Sequence, residues 1–353
     1  MKSFYKYSLL VLVCMPVLYS CYRRPLDEEC IEYAKIPIGS VWTKADIDPQ
    51  NVTALFYNRN DGKLALEHRF ENSDKVIQSY VNVPIGKYKV VLFNEIRGQI
   101  NGIGIKGHEN LATLEAYLLP DPNPRTRIAG DTYVRQPEVL ASVIVDDFEV
   151  TREMVVYNHS SGAGAPNPLL EAAINALVGL EPERKVHEFN ITVHVKGLNN
   201  ARMPALVDLR DVAESYNFNT DRNTLIPATE QFTMNNRTYD PGSAKNGTIS
   251  ATVYTLGLLG EQPAETAPQR DQPVLLDFLF VLVDAERTLV NQVVDVTDLI
   301  DFLPEGHGAA TLELYLELPE ALPDVEPEGG GGGSGFDTEL IDWDEIDVPL
   351  KTH

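Results

Sequence analysis

Seven histidines are scattered through the 353 residues, and few of them stand where chemistry would need them. His187-Glu188 lacks the second histidine four residues on that a zinc-protease helix uses to put two ring nitrogens on one face. His194 falls on the outward side of an alternating stretch and reads as a surface residue, not a ligand. His159-Ser160-Ser161-Gly162 has no G-x-S-x-G frame to expose a nucleophile on a sharp turn. Asp342, Asp344 and Asp347 are spaced like part of a calcium loop, but the turn glycine and the closing glutamate are missing. No glycine-rich phosphate loop and no dinucleotide fingerprint occur. Trp42, Trp343 and fifteen tyrosines could stack on sugar rings, although tyrosines in strand-rich chains mostly pack or hold corners. The expectation is a protein that is not an enzyme, with no cofactor and no metal.

The cysteines are more informative. Cys21 ends a stretch in which Lys2 and Lys6 give a positive start, Ser8 to Leu18 is apolar and uncharged, and small Ser20 comes last. That is the layout of a secretory signal, too short for a comfortable membrane span. Leu18-Tyr19-Ser20-Cys21 resembles the lipobox of bacterial lipoproteins. The resemblance implies that the Cys21 sulfur takes a diacylglycerol and becomes the acylated, palmitate-type first residue after cleavage. Two or three acyl chains hold a body firmly on a bilayer, whereas one gives marginal binding. An ordinary secretory signal that happens to contain a cysteine is the alternative. Cys14 leaves with the signal and Cys30 stands alone near the tether, so no disulfide framework stabilises the body. Removing the signal takes two lysines and no acid, so 27 basic against 52 acidic residues leave a net charge of −25. Such a body repels phosphate backbones, which argues against a nucleic-acid partner.

The elements that would carry these residues are mostly strands. The chain divides into a signal (1–20), a lipidated tether (21–34), an N-terminal β-sandwich (35–165), a helical linker (166–184), a C-terminal β-sandwich (185–318), a Pro/Gly-rich acidic linker (319–336) and a terminal segment (337–353). Val52 to Tyr57 is rich in strand formers, and Asn60-Asp61-Gly62 is a hairpin turn before Lys63 to Leu66. Tyr88, Val90 and Leu92 share one face of a strand entered through Pro84-Ile85-Gly86, and Tyr88 is placed to act as a corner tyrosine that bonds back to the turn. Val139 to Val145 reads as a strand ending at an acidic turn, Asp146-Asp147. Leu170, Ala173, Ile174 and Leu177 recur at helical spacing between a cap, Asn167, and a stop, Gly179. In the second half Phe189 to Val195, Thr248 to Leu256 and Leu312 to Leu318 alternate, Val274 to Val283 is apolar enough to be central, and Leu206 to Tyr216 reads as a short helix or loop insertion.

The tail changes character. Gly329 to Gly335 spans roughly 15 Å as a flexible coil. Beyond it Ile341, Trp343, Ile346, Val348 and Leu350 stud an acidic segment. Ile341 and Trp343 fall on one strand face and the other three on the opposite one, so a strand needs a bulge. Leu340, Trp343 and Ile346 could instead stripe a short helix. These residues are the candidate partner contacts. A flexible linker carrying apolar studs suits strand addition to another subunit. Folding back onto the chain's own sandwich, or solvation as an acidic tail, are the other readings.

Taken in order, the lipobox, Leu55-Phe56-Tyr57 with its Asn-Asp-Gly turn, Val83 to Asn94, Ile191 to Leu198, Thr252 to Gly257 and Asp277 to Asp284 resemble the Bacteroidetes fimbrillin-related lipoproteins, in particular their fimbrial-anchor (FimB/Mfa-type) subunits. The likeness covers about residues 1–318. It implies an all-β fold of two tandem transthyretin-like β-sandwich domains with a short linking helix and an extended C-terminal tail. It also implies an outer-membrane lipid anchor on Cys21 facing the cell exterior, and strand addition to fimbrial subunits. Asp27-Glu28-Glu29 resembles a surface-export signal of such lipoproteins, or is a solvated linker. A surface glycan-binding lipoprotein is the alternative function, to be favoured by a paired aromatic platform. A secreted hydrolase is the third.

Overall fold

The structure, a computed structural model, describes residues 33–71, 77–95, 101–125, 130–159, 167–259, 273–300 and 311–328. The described residues are mostly β-sheet. In the first half the strands are β1 (Tyr33–Ser40), β2 (Asn51–Asn58), β3 (Leu64–Glu71), β4 (Ile77–Pro84), β5 (Gly86–Glu95), β6 (Ile103–Lys106), β7 (Glu115–Leu118), β8 (Tyr133–Val134), β9 (Ala141–Val150) and β10 (Glu183–Arg184). β1 pairs along its length with β4 and meets Leu180 through one parallel bridge at Ser40, while β10-β9-β5-β2-β3 form one antiparallel sheet. The Asn60-Asp61-Gly62 turn closes the β2–β3 hairpin. Gly62 takes φ +70°, its N–H donates to the Asn58 carbonyl at 2.8 Å, and the Asn58 side chain accepts from Asn60 N–H.

The β5–β2 sheet is buried on both faces, which explains its near-continuous apolar runs. Ala54, Phe56, Val90 and Leu92 face a core shared with β1 and β4, whereas Leu55, Tyr57, Val91 and Phe93 face a second core. Asp146-Asp147 is a correction. It is not a turn but a bulge inside β9, since Tyr88 opposes Phe148 and Val90 opposes Val145, leaving Lys89 opposite two aspartates. Lys89 Nζ lies 2.9 Å from Asp146, and Arg59 pairs with Asp147, so the acidic pair is held by cations in mid-strand.

Two helices follow, α1 (Arg152–His159) and α2 (Pro168–Ile174). α2 begins where its cap directs: the Asn167 side chain accepts from Leu170 N–H at 3.2 Å, Pro168 takes the first turn, and a 3-10 turn over Asn175–Leu177 runs to Gly179 at φ +74°. Ile174 and Leu177, with Met154 and Val155 of α1, close the core under β1. α1 carries little apolar periodicity and was not expected.

The second half contains β11 (His187–Val195), β12 (Ala201–Ala213), β13 (Ser215–Asn217), β14 (Arg222–Asn223), β15 (Pro227–Met234), β16 (Asn236–Tyr239), β17 (Gly247–Thr255), β18 (Leu275–Leu282), β19 (Leu289–Asp295) and β20 (Thr311–Glu317). Two sheets, β16-β17-β11-β20 and β19-β18-β12-β15-β8, pack face to face. β18 is interior and β20 is an edge, as their patterns predict. Leu206 to Tyr216 is neither helix nor insertion: it lies in β12 and β13. Ala205 to Leu209 are buried without alternation between β15 and β18, and a continuously buried strand shows no period of two. The halves also exchange hydrogen bonds. β7 pairs with β13 in the sheet β14-β13-β7-β6, and β8 runs parallel to β15.

Candidate functional site

The predicted lipidation residue, Cys21, and the predicted contacts Ile341, Trp343, Ile346, Val348 and Leu350 lie outside the described residues. The structure does describe the two strands that deliver the chain to those ends. The N-terminal one is β1. Ala34, Ile36 and Ile38 are fully buried, and all eight residues align with β4, from Tyr33 opposite Pro84 to Ser40 opposite Ile77. β4 then turns through Ile85 into β5, and Tyr88 stands at that corner. Its Oη donates to the Pro84 carbonyl at 2.9 Å, while its buried ring meets Phe56 edge-on. Burial raises the Tyr88 pKa, so the phenol keeps its proton. Gly86 is required here because a Cβ would lie 2.9 Å from Tyr88 Oη.

The C-terminal end is built from β20 and the residues after it. β20 lies parallel to β11, and Leu314, Leu316 and Leu318 enter the core while Glu313, Tyr315 and Glu317 stay outside. Residues 319–328 were expected to begin a linker. They are instead fixed to the body as an irregular strap. Leu322 is buried and its N–H donates to the Lys196 carbonyl at 2.8 Å. The Gln292 amide bonds both backbone groups of Glu320, at 3.0 and 3.1 Å. Asp324 accepts from Asn200 and Lys245, and Glu328 receives Arg202 Nη2 at 2.6 Å. Proline-rich composition does not reveal a strap, because its cationic partners lie far away in sequence.

Buried polar groups cluster beside β8 and β15. Tyr133 Oη donates to Asp208 at 3.0 Å and Gln231 Nε2 to the same carboxylate at 2.7 Å. Thr229 Oγ1 donates to Asp131, which also faces Arg210 at 3.4 Å. Neither group was singled out by sequence, since each joins residues about a hundred positions apart. His194 does face outward, where Nε2 lies 2.9 Å from Asp240. Trp42 is buried, so it offers no stacking face. The most exposed described tyrosines, Tyr80 and Tyr315, stand on different sheets. A polar cleft of about 330 Å³ lies between Asp121, Arg125, Gln136 and Gln231. Among the described residues no group of three or more His, Cys, Asp or Glu side chains is placed to hold a metal, and no helix is long and apolar enough to cross a membrane.

Stacked, mostly antiparallel sheets define a β protein consistent with tandem sandwiches. The family described as Domain of unknown function (DUF5119) matches residues 20–233, and the chain belongs to that family. No curated protein matches the chain. Among solved structures, a candidate adhesin from Bacteroides ovatus ATCC 8483 is similar over 85% of this chain and 99% of its own, at 17% identity and a TM-score of 0.51. This likeness establishes a common fold. A second candidate adhesin from Bacteroides ovatus covers 81% of this chain and 87% of its own at 13% identity, with a TM-score of 0.44. The fimbrial anchor protein Mfa2 from Porphyromonas gingivalis covers 75% and 83% at 12% identity, with a TM-score of 0.39.

Proposed function

We propose that this chain is a cell-surface lipoprotein of two tandem sandwiches, each transthyretin-like, that serves as an anchor or accessory subunit of a fimbrial or adhesive assembly. Its N-terminus is held in the outer membrane by lipid on Cys21, and its terminal segment, through Ile341, Trp343, Ile346, Val348 and Leu350, reaches a neighbouring subunit. One observation carries the reading: among the described residues the first and last strands, β1 and β20, are edge strands, β20 laddered only to β11 and β1 only to β4 apart from one bridge from Ser40 to Leu180. Strand addition between subunits requires such ends, because an interior strand cannot be offered or replaced without breaking two ladders. The fold shared with a candidate adhesin supports a role in adhesion.

The test is a native pull-down from membranes, full chain against a chain ending at Gly335, run unboiled in detergent with bands identified by mass spectrometry. A high-mass ladder that vanishes on truncation is expected. A ladder that survives moves the contact away from the terminal segment, and no ladder in either sample defeats stable assembly. In parallel, Cys21→Ser abolishes labelling by radioactive palmitate and releases the protein from the membrane fraction if the anchor is as proposed.

A further inference from the structure

The pairing of β11 with β20 has a mechanical consequence. The two strands run parallel over seven aligned pairs, from Glu188 opposite Thr311 to His194 opposite Glu317. The chain from the N-terminal side enters β11 at its His187 end, where the preceding residues are tied to the first half. Arg184 Nε donates to the Ala45 carbonyl and Lys185 N–H to the Leu140 carbonyl. The chain toward the C-terminus leaves β20 at its Glu317 end. Tension between the termini, once it has released the strap of residues 319–328, therefore pulls two parallel strands from opposite ends, along their common axis.

That geometry is shear. In shear every hydrogen bond of the ladder is loaded together and all must yield within a few ångström. Pulling the same pair from one end would open the bonds one at a time. Forced unfolding is governed by the barrier to that first rupture, not by equilibrium stability. Side chains reinforce the ladder along its length. Asn190 Nδ2 donates to Glu313 at 2.9 Å, Lys196 Nζ pairs with Glu317 at 2.6 Å, and Leu314 and Leu316 interlock with Phe189, Ile191 and Val193 in the core. β11 is itself held on its other side by nine antiparallel pairs with β17, so β20 is the strand that must slide.

We infer that the parallel β11–β20 pair is a mechanical clamp that carries tension between the membrane-anchored N-terminus and whatever the C-terminal segment holds. The inference rests on the anchor reading for the source of the load, while the clamp itself is a property of the isolated chain.

The experiment is single-molecule pulling with optical tweezers on the full chain, with Cys14, Cys21 and Cys30 replaced by serine. Handles at Glu188→Cys and Tyr315→Cys load the pair in shear. Handles at Glu188→Cys and Thr311→Cys load it from one end. The two pulls release almost the same length of chain, so their rupture forces compare directly. Expected is a several-fold higher force in shear; equal forces overturn the clamp. Should Glu188→Cys lower the melting temperature through loss of its Arg184 ion pair, a handle at His187 repeats both pulls. Failure of the subunit reading is separate. A strong shear peak with no ladder in the pull-down removes the fimbrial role and leaves the clamp, whereas a ladder with equal forces removes the clamp alone.

Discussion

Glu230 is the residue whose environment is hardest to reconcile with its chemistry. It sits on β15 between core neighbours Ala228 and Phe232, fully buried, and neither carboxyl oxygen has a hydrogen-bond partner. Thr255 is the polar neighbour that favours the ionised form, and burial outweighs it. Burial holds its pKa well above the usual carboxylate value, because an ion there would lose its hydration with too little in return from Thr255. The folded state then binds this proton more tightly than the unfolded chain does. The stability it contributes is fully present below about pH 4.5 and is lost as pH rises toward the folded-state pKa. Glu230→Leu is expected to remove that loss and raise stability at pH 8 by on the order of 2 kcal/mol. Urea midpoints of both proteins at pH 5 and pH 8 check it, and a variant advantage that does not grow with pH contradicts it. Tyr88→Phe is a milder test at the same scale. It keeps the ring against Phe56 and deletes the bond to Pro84, which should cost about 1 kcal/mol in urea denaturation.

Among the elements, the strap after β20 carries a prediction that composition alone would reverse. A linker can be removed freely, but residues 318–328 bury Leu318 and Leu322 and satisfy Gln292 and Arg202. A chain ending at Glu317 should lose about 3 kcal/mol of stability, the order expected for two buried leucines less the entropy regained, while one ending at Glu328 should melt with the full chain. Calorimetry of the two truncations separates these outcomes. The same contrast explains what the sequence could disclose. α2 was legible because its cap, its apolar spacing and its stop are all local, as is the turn of the β2–β3 hairpin. β12 was not, because burial on both faces erases the alternation that marks a strand. Asp146-Asp147 has the composition of a turn, but the β5–β9 ladder on either side of it, with Lys89 and Arg59 as its cations, keeps it in β9. For the strap and for Glu230 the deciding facts are distant partners and the direction a side chain faces, neither of which is written locally. The tyrosine corner is the site feature whose geometry matches a local signal, since Pro84, Gly86 and Tyr88 lie within five residues.

Over the whole molecule, one apolar core runs past the helical linker. Leu55, Tyr57, Val91 and Phe93 of the first half belong to the same apolar cluster as β11, β12 and β18 of the second. Phe218 stands at the seam. It is fully buried, its ring lies 5.6 Å from Phe93 and 5.2 Å from Tyr216, and its N–H donates to the Leu114 carbonyl. Beside it Asp221 accepts from Lys185 at 2.8 Å and from Tyr216. Partial desolvation alone would raise the Asp221 pKa, but these two donors hold it below the usual value, so the carboxylate, about half exposed to solvent, stays charged at the rim of the seam. Two sandwiches joined only by a linker would melt separately, whereas sandwiches sharing a core and a sheet should melt together. Wild type should therefore give one calorimetric transition whose van't Hoff and calorimetric enthalpies agree. Phe218→Ala should cost about 3–5 kcal/mol and lower the stability of both halves, not one. Two transitions in wild type would separate the halves. A Phe218→Ala protein in which only the second half melts early would place the aromatic seam inside a single domain. A common early melt would make the two halves one cooperative unit, as the shared core and the β7–β13 ladder lead one to expect.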